Sequence, residues 1–197
     1  MKKYLIFTDL DGTLLDHENY SYGNNKKTIT SIINNKNDVI FNTSKTFSES
    51  INLLKQLNLT NMPFSTENGA LLYFPKNRFK KIKNSSDYGK YWKIRIAKLS
   101  SKNWHQFLLK KQKKFKLLIA QDLPSKILKK YTNLDNTSKM LNREASQIIL
   151  WEDSLVNLKK FKNELKSEKQ GVLIQGGRFM QVSSVCNKRI AKKLISH

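Results

Sequence analysis

A short apolar run near the start of the chain ends abruptly in acidic residues, and this junction constrains the fold more than any other feature. Residues 3–8 predict a buried β-strand, and the string Asp9-Leu10-Asp11-Gly12-Thr13-Leu14-Leu15-Asp16 follows directly. Two carboxylates at the end of a strand suit phosphoryl transfer, because one can attack phosphorus while the other moves protons. Their clustered negative charge would call for a cation, most simply Mg²⁺. The simpler alternative is a solvated acidic turn, since loops favour Asp and Gly.

The first 75 residues alternate between apolar runs and helical patterns. Val39–Phe41 and Ala70–Phe74 predict two further strands, and the first of these ends in polar residues, as the opening strand does. Thr28–Asn34 predicts a short helix, and Ser48 is the predicted N-cap of a second one. Strand and helix in alternation are typical of an α/β fold with a parallel sheet, so we expect a Rossmann-like core.

The pattern changes after Pro75. Tyr88, Trp92, Ile96 and Leu99 recur at helical spacing and predict a helix. The remaining predicted elements are a helix around residues 104–115, short helices at Ser125–Tyr131 and Asn136–Asn142, a strand at Ile148–Trp151, a helix capped by Ser154 with Leu155, Leu158, Phe161 and Leu165 inward, a hairpin of Val172–Ile174 and Phe179–Val182, and a helix at Lys188–Ile195.

The formal net charge of +22 over 197 residues invites an interpretation as a nucleic-acid-binding protein. The charge is unevenly placed, because residues 1–75 are neutral whereas residues 76–142 carry +16. Aromatic residues interleave with lysines in that basic stretch, as they do in single-strand binders. Several of them fall on the predicted apolar stripe, however, which favours a role in the core over nucleic-acid binding.

The single cysteine, Cys186, excludes an internal disulfide and fits a reducing cytoplasm, where we expect the protein to reside. No apolar run reaches the roughly 18 residues that a membrane-spanning helix needs, so we expect no membrane partner.

The string Asp9–Asp16 resembles motif I of the haloacid dehalogenase superfamily of phosphatases. The resemblance implies that Asp9 is the nucleophile and Asp11 the general acid and base. It also implies that both bind Mg²⁺, Asp9 through its carboxylate and Asp11 through its backbone carbonyl. Thr43 falls at the second motif, whose hydroxyl binds the transferring phosphoryl group. Lys188 falls at the third, whose lysine stabilises the nucleophile and the phosphoryl oxygens, although the flanking Asn187 and Arg189 depart from the usual Asp-Lys-Gly.

Other segments are similar to the mannosyl-3-phosphoglycerate phosphatases of that superfamily. The resemblance implies a three-layer Rossmann-like haloacid dehalogenase core at residues 1–83 and 183–197, with an inserted α+β cap at residues 84–182. The segments that carry it are Val39–Thr46, Pro63–Ala70, Arg143–Ser146 with Trp151 downstream, and Gly176–Phe179.

The resemblance also implies a small phosphorylated sugar–glycerate substrate, carrying mannose or glucose, whose hydrolysis yields mannosylglycerate or its glucosyl analogue. Arg143 and Arg178 are candidates to bind the glycerate carboxylate in bidentate fashion. Gly176 and Gly177 would let backbone amides approach the ligand, although an ordinary hairpin turn explains them as well. The remaining candidate substrate ligands are Ser44, Lys45 and Ser146.

The family's fourth motif, a Gly-Asp-x-x-Asn-Asp-like loop that supplies a further carboxylate to Mg²⁺, should follow Lys188 by some two dozen residues. The sequence stops at His197, so we expect a core that is incomplete at its C-terminus and a weakened metal site. Three interpretations stay open at this stage. The chain is an active phosphatase, a truncated or split remnant that a complementing C-terminal polypeptide completes, or, least favoured, a basic nucleic-acid-binding module.

Overall fold

The computed structural model describes residues 4–11, 13–15, 22–132, 137–175, 179–186 and 188–196. Their contacts divide the chain into two compact units. The first unit comprises Met1–Ile96 and Asn187–His197, and the second comprises Ala97–Cys186. The predicted bounds of the inserted segment, residues 84 and 182, stay a prediction beside this division by contacts. The segment's role as a cap stays a prediction.

The first unit opens with a parallel strand pair. β1 (Leu5–Thr8) pairs with β2 (Asp38–Phe41), and α1 (Asn25–Asn34) lies between them in sequence. β2 is fully buried, as predicted. β1 is only partly buried, and Leu5 is 44% exposed, so the expectation of a buried first strand is wrong. The reason is that β2 is the one strand that pairs with β1 among the described residues.

An antiparallel sheet continues the first unit. β3 (Phe64–Thr66), β4 (Leu71–Pro75), β5 (Ser86–Tyr88) and β6 (Tyr91–Arg95) lie in the order β3-β4-β6-β5. A single parallel bridge between Asn42 and Ser65 links β2 to β3. The strand predicted at Ala70–Phe74 therefore exists as β4, but it runs antiparallel to its neighbours and not as a third parallel strand.

The helix predicted from Tyr88, Trp92, Ile96 and Leu99 is wrong, because this segment forms β5, a turn and β6. Residues four apart share one side of a strand as well as one side of a helix, so the spacing fits both structures. In the structure Trp92, Ile94 and Ile96 follow the period of two and pack together against Leu72 of β4.

Two helices cover the first unit's sheet. α2 (Phe47–Gln56) follows β2, and Phe47 joins a cluster of aromatic rings whose centroids lie 4.7–6.4 Å apart. α7 (Lys188–Ser196), which the sequence predicts, packs Ala191 against Leu72 and Phe74 and contacts the 3-10 turn Glu67–Gly69. The other members of the aromatic cluster are Phe64, Tyr73, Tyr88 and Tyr91.

The second unit is an antiparallel sheet covered by helices, in agreement with the α+β prediction. The elements are α3 (Ser101–Lys111), β7 (Leu117–Ile119), α4 (Ser125–Thr132), α5 (Ser138–Leu141), β8 (Ser146–Trp151), α6 (Leu155–Lys169), β9 (Gly171–Gln175) and β10 (Met180–Ser184). The strands lie in the order β7-β8-β10-β9. The predicted short helices, strand, long helix and hairpin are all confirmed, whereas Leu155 is 82% exposed and not inward.

Several aromatic residues of the basic stretch belong to the cores of the two units. Trp104, Phe107 and Phe115 are buried against α6 and the sheet of the second unit, and Tyr91 is buried in the first, whereas Tyr131 is 41% exposed. Buried rings cannot stack on exposed bases, so these four rings give no support to a nucleic-acid interpretation. None of the described helices combines the length and the apolar character needed to cross a membrane.

The N-terminus of α2 yields a stability prediction. Thr46, and not the predicted Ser48, is the N-cap, because its hydroxyl accepts from the Glu49 amide at 3.3 Å while the Glu49 carboxylate accepts from the Thr46 amide at 2.9 Å. We expect Thr46→Ala to lower the free energy of unfolding by about 1 kcal/mol. The matched change Ser48→Ala should lower it by about 0.5 kcal/mol or less. Urea denaturation measures both, and equal effects would contradict the assignment.

Gly171 yields a second stability prediction. A Cβ atom there would lie 2.6 Å from Cη2 of Trp104 and 2.8 Å from Cδ1 of Leu165, both fully buried. We expect Gly171→Ala to lower the free energy of unfolding by about 1–3 kcal/mol through overpacking.

A rescue experiment tests the cause of the Gly171→Ala effect. Trp104→Phe removes Cη2, and the indole N–H that it also removes has no hydrogen-bond partner among the described residues. The double variant should therefore be more stable than the sum of the single effects predicts, by at least about 0.5 kcal/mol in a double-mutant cycle. Strict additivity of the two changes would rule out the proposed clash.

Candidate active site

The predicted catalytic acids lie at the carboxyl end of β1. Asp9 follows the strand directly, and its Oδ1 accepts a hydrogen bond from the Leu10 amide at 2.8 Å. Asp11 lies two residues further on, and both side chains are partly exposed. Because β1 and β2 are parallel, Thr43 reaches the same end of the sheet after β2. The fold thus gathers residues of the first two predicted motifs at one edge.

Each acid faces a lysine from a different part of the first unit. Nζ of Lys188 donates a hydrogen bond to Oδ2 of Asp9, across 179 positions of sequence. Nζ of Lys45 lies 2.8 Å from Oδ1 of Asp11. The charges of these two carboxylates and two ammonium groups balance. The same ammonium groups are positioned to bind the oxygens of a phosphate.

Thr43 is fully buried, and its hydroxyl oxygen accepts a hydrogen bond from the Lys45 amide at 3.1 Å. This bond uses a lone pair of the oxygen and not its proton, so the hydroxyl retains its capacity to donate. Ser44 lies between these two residues and is half-buried. The second-motif loop, Thr43–Lys45, is therefore held in a compact turn that fixes the position of the Thr43 hydroxyl.

A turn with left-handed backbone conformations, Glu67–Gly69, supports this loop through backbone hydrogen bonds. Glu67, Asn68 and Gly69 have successive φ values of +49°, +59° and +85°, and the first two are uncommon for residues with a side chain. The Glu67 amide donates to the Lys45 carbonyl and the Asn68 amide to the Thr43 carbonyl, both at 2.9 Å. The turn thereby fixes the backbone on both sides of Ser44.

Two further features of the site are not predicted from the sequence. They are the supporting turn Glu67–Gly69 and Asn42, whose side chain bonds to the backbone of Lys188. The available signals are weak. Asn42 is a polar residue at the end of a buried strand, and Glu67-Asn68-Gly69 reads as an ordinary turn. Neither pattern states which distant backbone group the residue will contact.

The second unit holds the remaining described candidates. Nη1 of Arg143 donates to Oγ of Ser146 at 3.2 Å, and Ser146 is fully buried at the start of β8. Gly176, Gly177 and Arg178 lie outside the described residues. The structure thus brings candidates together in two sets, Arg143 with Ser146 in the second unit and, in the first, Asp9, Asp11, Thr43, Ser44, Lys45 and Lys188.

The donor set of the first unit fits Mg²⁺. Asp9 offers a carboxylate and Asp11 a backbone carbonyl, and both are hard oxygen ligands. Mg²⁺ is commonly bound by one or two carboxylates together with substrate phosphate and water. No group of three or more His, Cys, Asp or Glu side chains gathers within the described ranges. Within those ranges, the Asp9 carboxylate and the Asp11 carbonyl are the candidate protein ligands of a magnesium ion.

Comparison with known proteins identifies the family of the chain. The family model described as haloacid dehalogenase-like hydrolase matches residues 6–194. A glucosyl-3-phosphoglycerate/mannosyl-3-phosphoglycerate phosphatase of Methanococcoides burtonii is 34% identical over 142 residues, which are 71% of this chain and 52% of that protein. A protein of the same name from Persephonella marina is 31% identical over 179 residues, which are 89% of this chain and 64% of that protein.

The fold is also found in solved structures. A Thermoplasma acidophilum protein superimposes with a TM-score of 0.67 at 16% identity, over 100% of this chain and 71% of that one. An identity this low shows the fold alone. The chain spans about half to two thirds of the length of the two phosphatases it matches. The family match covers nearly all of the chain, and the chain therefore belongs to the haloacid dehalogenase-like hydrolases.

Proposed function

We propose that this chain is a phosphomonoester hydrolase that removes phosphate from mannosyl-3-phosphoglycerate or its glucosyl analogue. The observation that carries the proposal is the pairing of Asp9 with Lys188 and of Asp11 with Lys45 at the carboxyl end of β1. A nucleophile, a proton carrier and two phosphate-binding cations lie together there. The names of the two relatives support the choice of substrate.

The first step forms an aspartyl phosphate. A carboxylate oxygen of Asp9 attacks phosphorus, and the bond from phosphorus to the glycerate oxygen breaks. Asp11, protonated at this stage, gives its proton to the departing oxygen. Lys45, beside Asp11, offers its ammonium group to a negative group of the substrate. Lys188, beside Asp9, donates hydrogen bonds to the phosphoryl oxygens as their charge develops.

The second step returns the enzyme to its starting state. Asp11, now a carboxylate, takes a proton from a water molecule, whose oxygen attacks phosphorus. The bond between phosphorus and Asp9 breaks, which regenerates the Asp9 carboxylate and releases inorganic phosphate. The Thr43 hydroxyl donates a hydrogen bond to the phosphoryl group in both steps, and its buried position keeps the donor preorganised.

A magnesium ion, held by Asp9 and Asp11, would supply neutralisation of the phosphate charge and orientation of its oxygens. The glycerate and sugar would depend on other residues. Arg143 suits a carboxylate, and its hydrogen bond to Ser146 fixes the guanidinium orientation. Ser44, Gly176, Gly177 and Arg178 stay predicted substrate ligands.

Phosphate release tests the proposed activity. We expect the chain to release phosphate from both substrates in the presence of Mg²⁺, and Asp9→Asn to lower the rate on the order of 1,000-fold or more, because the nucleophile is lost. Asp87→Asn removes an exposed acid of the same unit and is the matched control, which should keep the activity. Release by Asp9→Asn at the parental rate would contradict the assignment of the nucleophile, and absence of release from the parent would reject activity for this chain.

Magnesium binding can be measured without catalysis. A ligand at ten times its Kd stabilises the folded state by about 1.4 kcal/mol, so MgCl₂ should raise the melting temperature of the parent above its value in NaCl of equal ionic strength. Asp9→Asn should lose this rise, because it removes the carboxylate ligand, whereas Asp11→Asn keeps the backbone carbonyl and should retain the rise. A rise that persists in Asp9→Asn would place the metal elsewhere.

A further inference from the structure

Asn42 occupies a junction of three elements in the first unit. It follows β2 and is 7% exposed. Its backbone amide donates to the Thr8 carbonyl at 2.9 Å, one residue before Asp9. Its side chain bonds in two directions, because Nδ2 donates to the Lys188 carbonyl at 2.8 Å and Oδ1 accepts from the Ser65 hydroxyl. Asn42 therefore joins β1 through its backbone amide, and β3 and the first residue of α7 through its side-chain amide.

The two side-chain bonds require an amide. A carbonyl partner needs a donor and a hydroxyl partner offers one, so the residue must present a donor and an acceptor on one short side chain. Asn provides both in a fixed plane. Asp has the same size but presents an acceptor to the Lys188 carbonyl, and a buried polar group left without its partner is destabilising.

Lys188 needs such an anchor because of its place in the helix. It is the first residue of α7, and the first turn of a helix lacks part of its internal hydrogen bonding and frays readily. Its ammonium sits at the end of four rotatable bonds, yet it must meet Oδ2 of Asp9. A fixed backbone at Lys188 removes one source of freedom in that contact and leaves the side-chain rotations.

We propose that Asn42 is a positioning residue that acts through Lys188, holding the start of α7 so that the ammonium group stays on the Asp9 carboxylate. The kinetic part of this inference rests on the proposed phosphatase activity, whereas the anchoring part does not. The hydrogen bonds of the Asn42 side chain go to Lys188 and Ser65, and neither partner is Asp9 or Asp11. An effect of Asn42 on the rate is therefore expected to pass through Lys188.

Hydrogen–deuterium exchange tests the anchoring. Exchange of the backbone amides in residues 188–196 should become faster in Asn42→Asp, which reverses the donor, and in Asn42→Leu, which removes the amide without adding charge. Ser65→Ala is the matched control, because it removes the other bond of Asn42 and leaves the bond to Lys188. Equal exchange in the parent and both Asn42 variants would overturn the proposal, as would an equal increase in Ser65→Ala.

A kinetic cycle tests the route through the lysine. Asn42→Asp should lower kcat by up to about 100-fold with little change in KM, as expected for a misplaced catalytic group. In a Lys188→Met background the same change should have little further effect, because the group it positions is already absent. The same fold loss in both backgrounds would show a general structural role and overturn the proposal.

Failure of the proposed phosphatase function and failure of the anchoring proposal give different results. A parent that releases no phosphate rejects the proposed function, and the exchange measurement then decides the anchoring alone. Thermal unfolding of each variant identifies any that do not fold, and Asn42→Leu provides the comparison if Asn42→Asp is one of them.

Discussion

The contact between Lys188 and Asp9 is the interaction on which the candidate site depends, since it joins two ends of a discontinuous unit. The lysine lies on a helix that returns to the first unit after the entire second unit has been traversed. Closing so long a loop has an entropic cost that grows slowly with its length. A partly exposed ion pair contributes too little to offset that cost. Apolar contacts of Ala191 with Leu72 and Phe74 hold the helix, and the ion pair is their consequence.

In the first unit, the contacts that stabilise the fold are therefore separate from the contacts proposed to act in catalysis. Packing on β4 places α7, the Asn42 side chain fixes the first residue of the helix, and the Lys188 ammonium then lies on the Asp9 carboxylate.

The second-motif loop is also held by residues that are not themselves candidates for catalysis. Two amides of the turn Glu67–Gly69 fix the backbone around Ser44, at the expense of left-handed conformations at Glu67 and Asn68. Strain of this kind persists only where surrounding structure determines the conformation.

Local charge, and not the net charge of the chain, governs the site. The first 75 residues are neutral, and the two acids there are balanced by Lys45 and Lys188. The excess of positive charge lies in residues 76–142, whose aromatic side chains are largely committed to the cores of the two units. In the proposed function, a dianionic phosphate would interact with these two ammonium groups at short range. Attraction over a short distance is screened less by salt than the long-range field of the basic stretch.

The sequence names the candidate residues that the fold gathers at one end of the strand pair, but it does not name the residues that support them, for a physical reason. Asp9, Asp11, Thr43 and Lys188 carry reactive groups in a recognisable order, and local patterns place most helices and strands correctly. The errors arise where one pattern fits two structures. Spacing by four suits the strands β5 and β6 as well as a helix, and both Thr46 and Ser48 are acceptable caps until Glu49 selects one.

Asn42 shows a further limit of prediction from the sequence. Its two partners, Ser65 and Lys188, lie 23 and 146 positions away, and no periodicity or turn rule refers to either. The choice of asparagine follows from a carbonyl and a hydroxyl that only the folded chain brings to its two sides. Reactive residues can be inferred from their chemistry alone, because any enzyme of this kind needs them. A positioning residue is defined by distant neighbours, so its identity becomes interpretable only once the backbone around it is known.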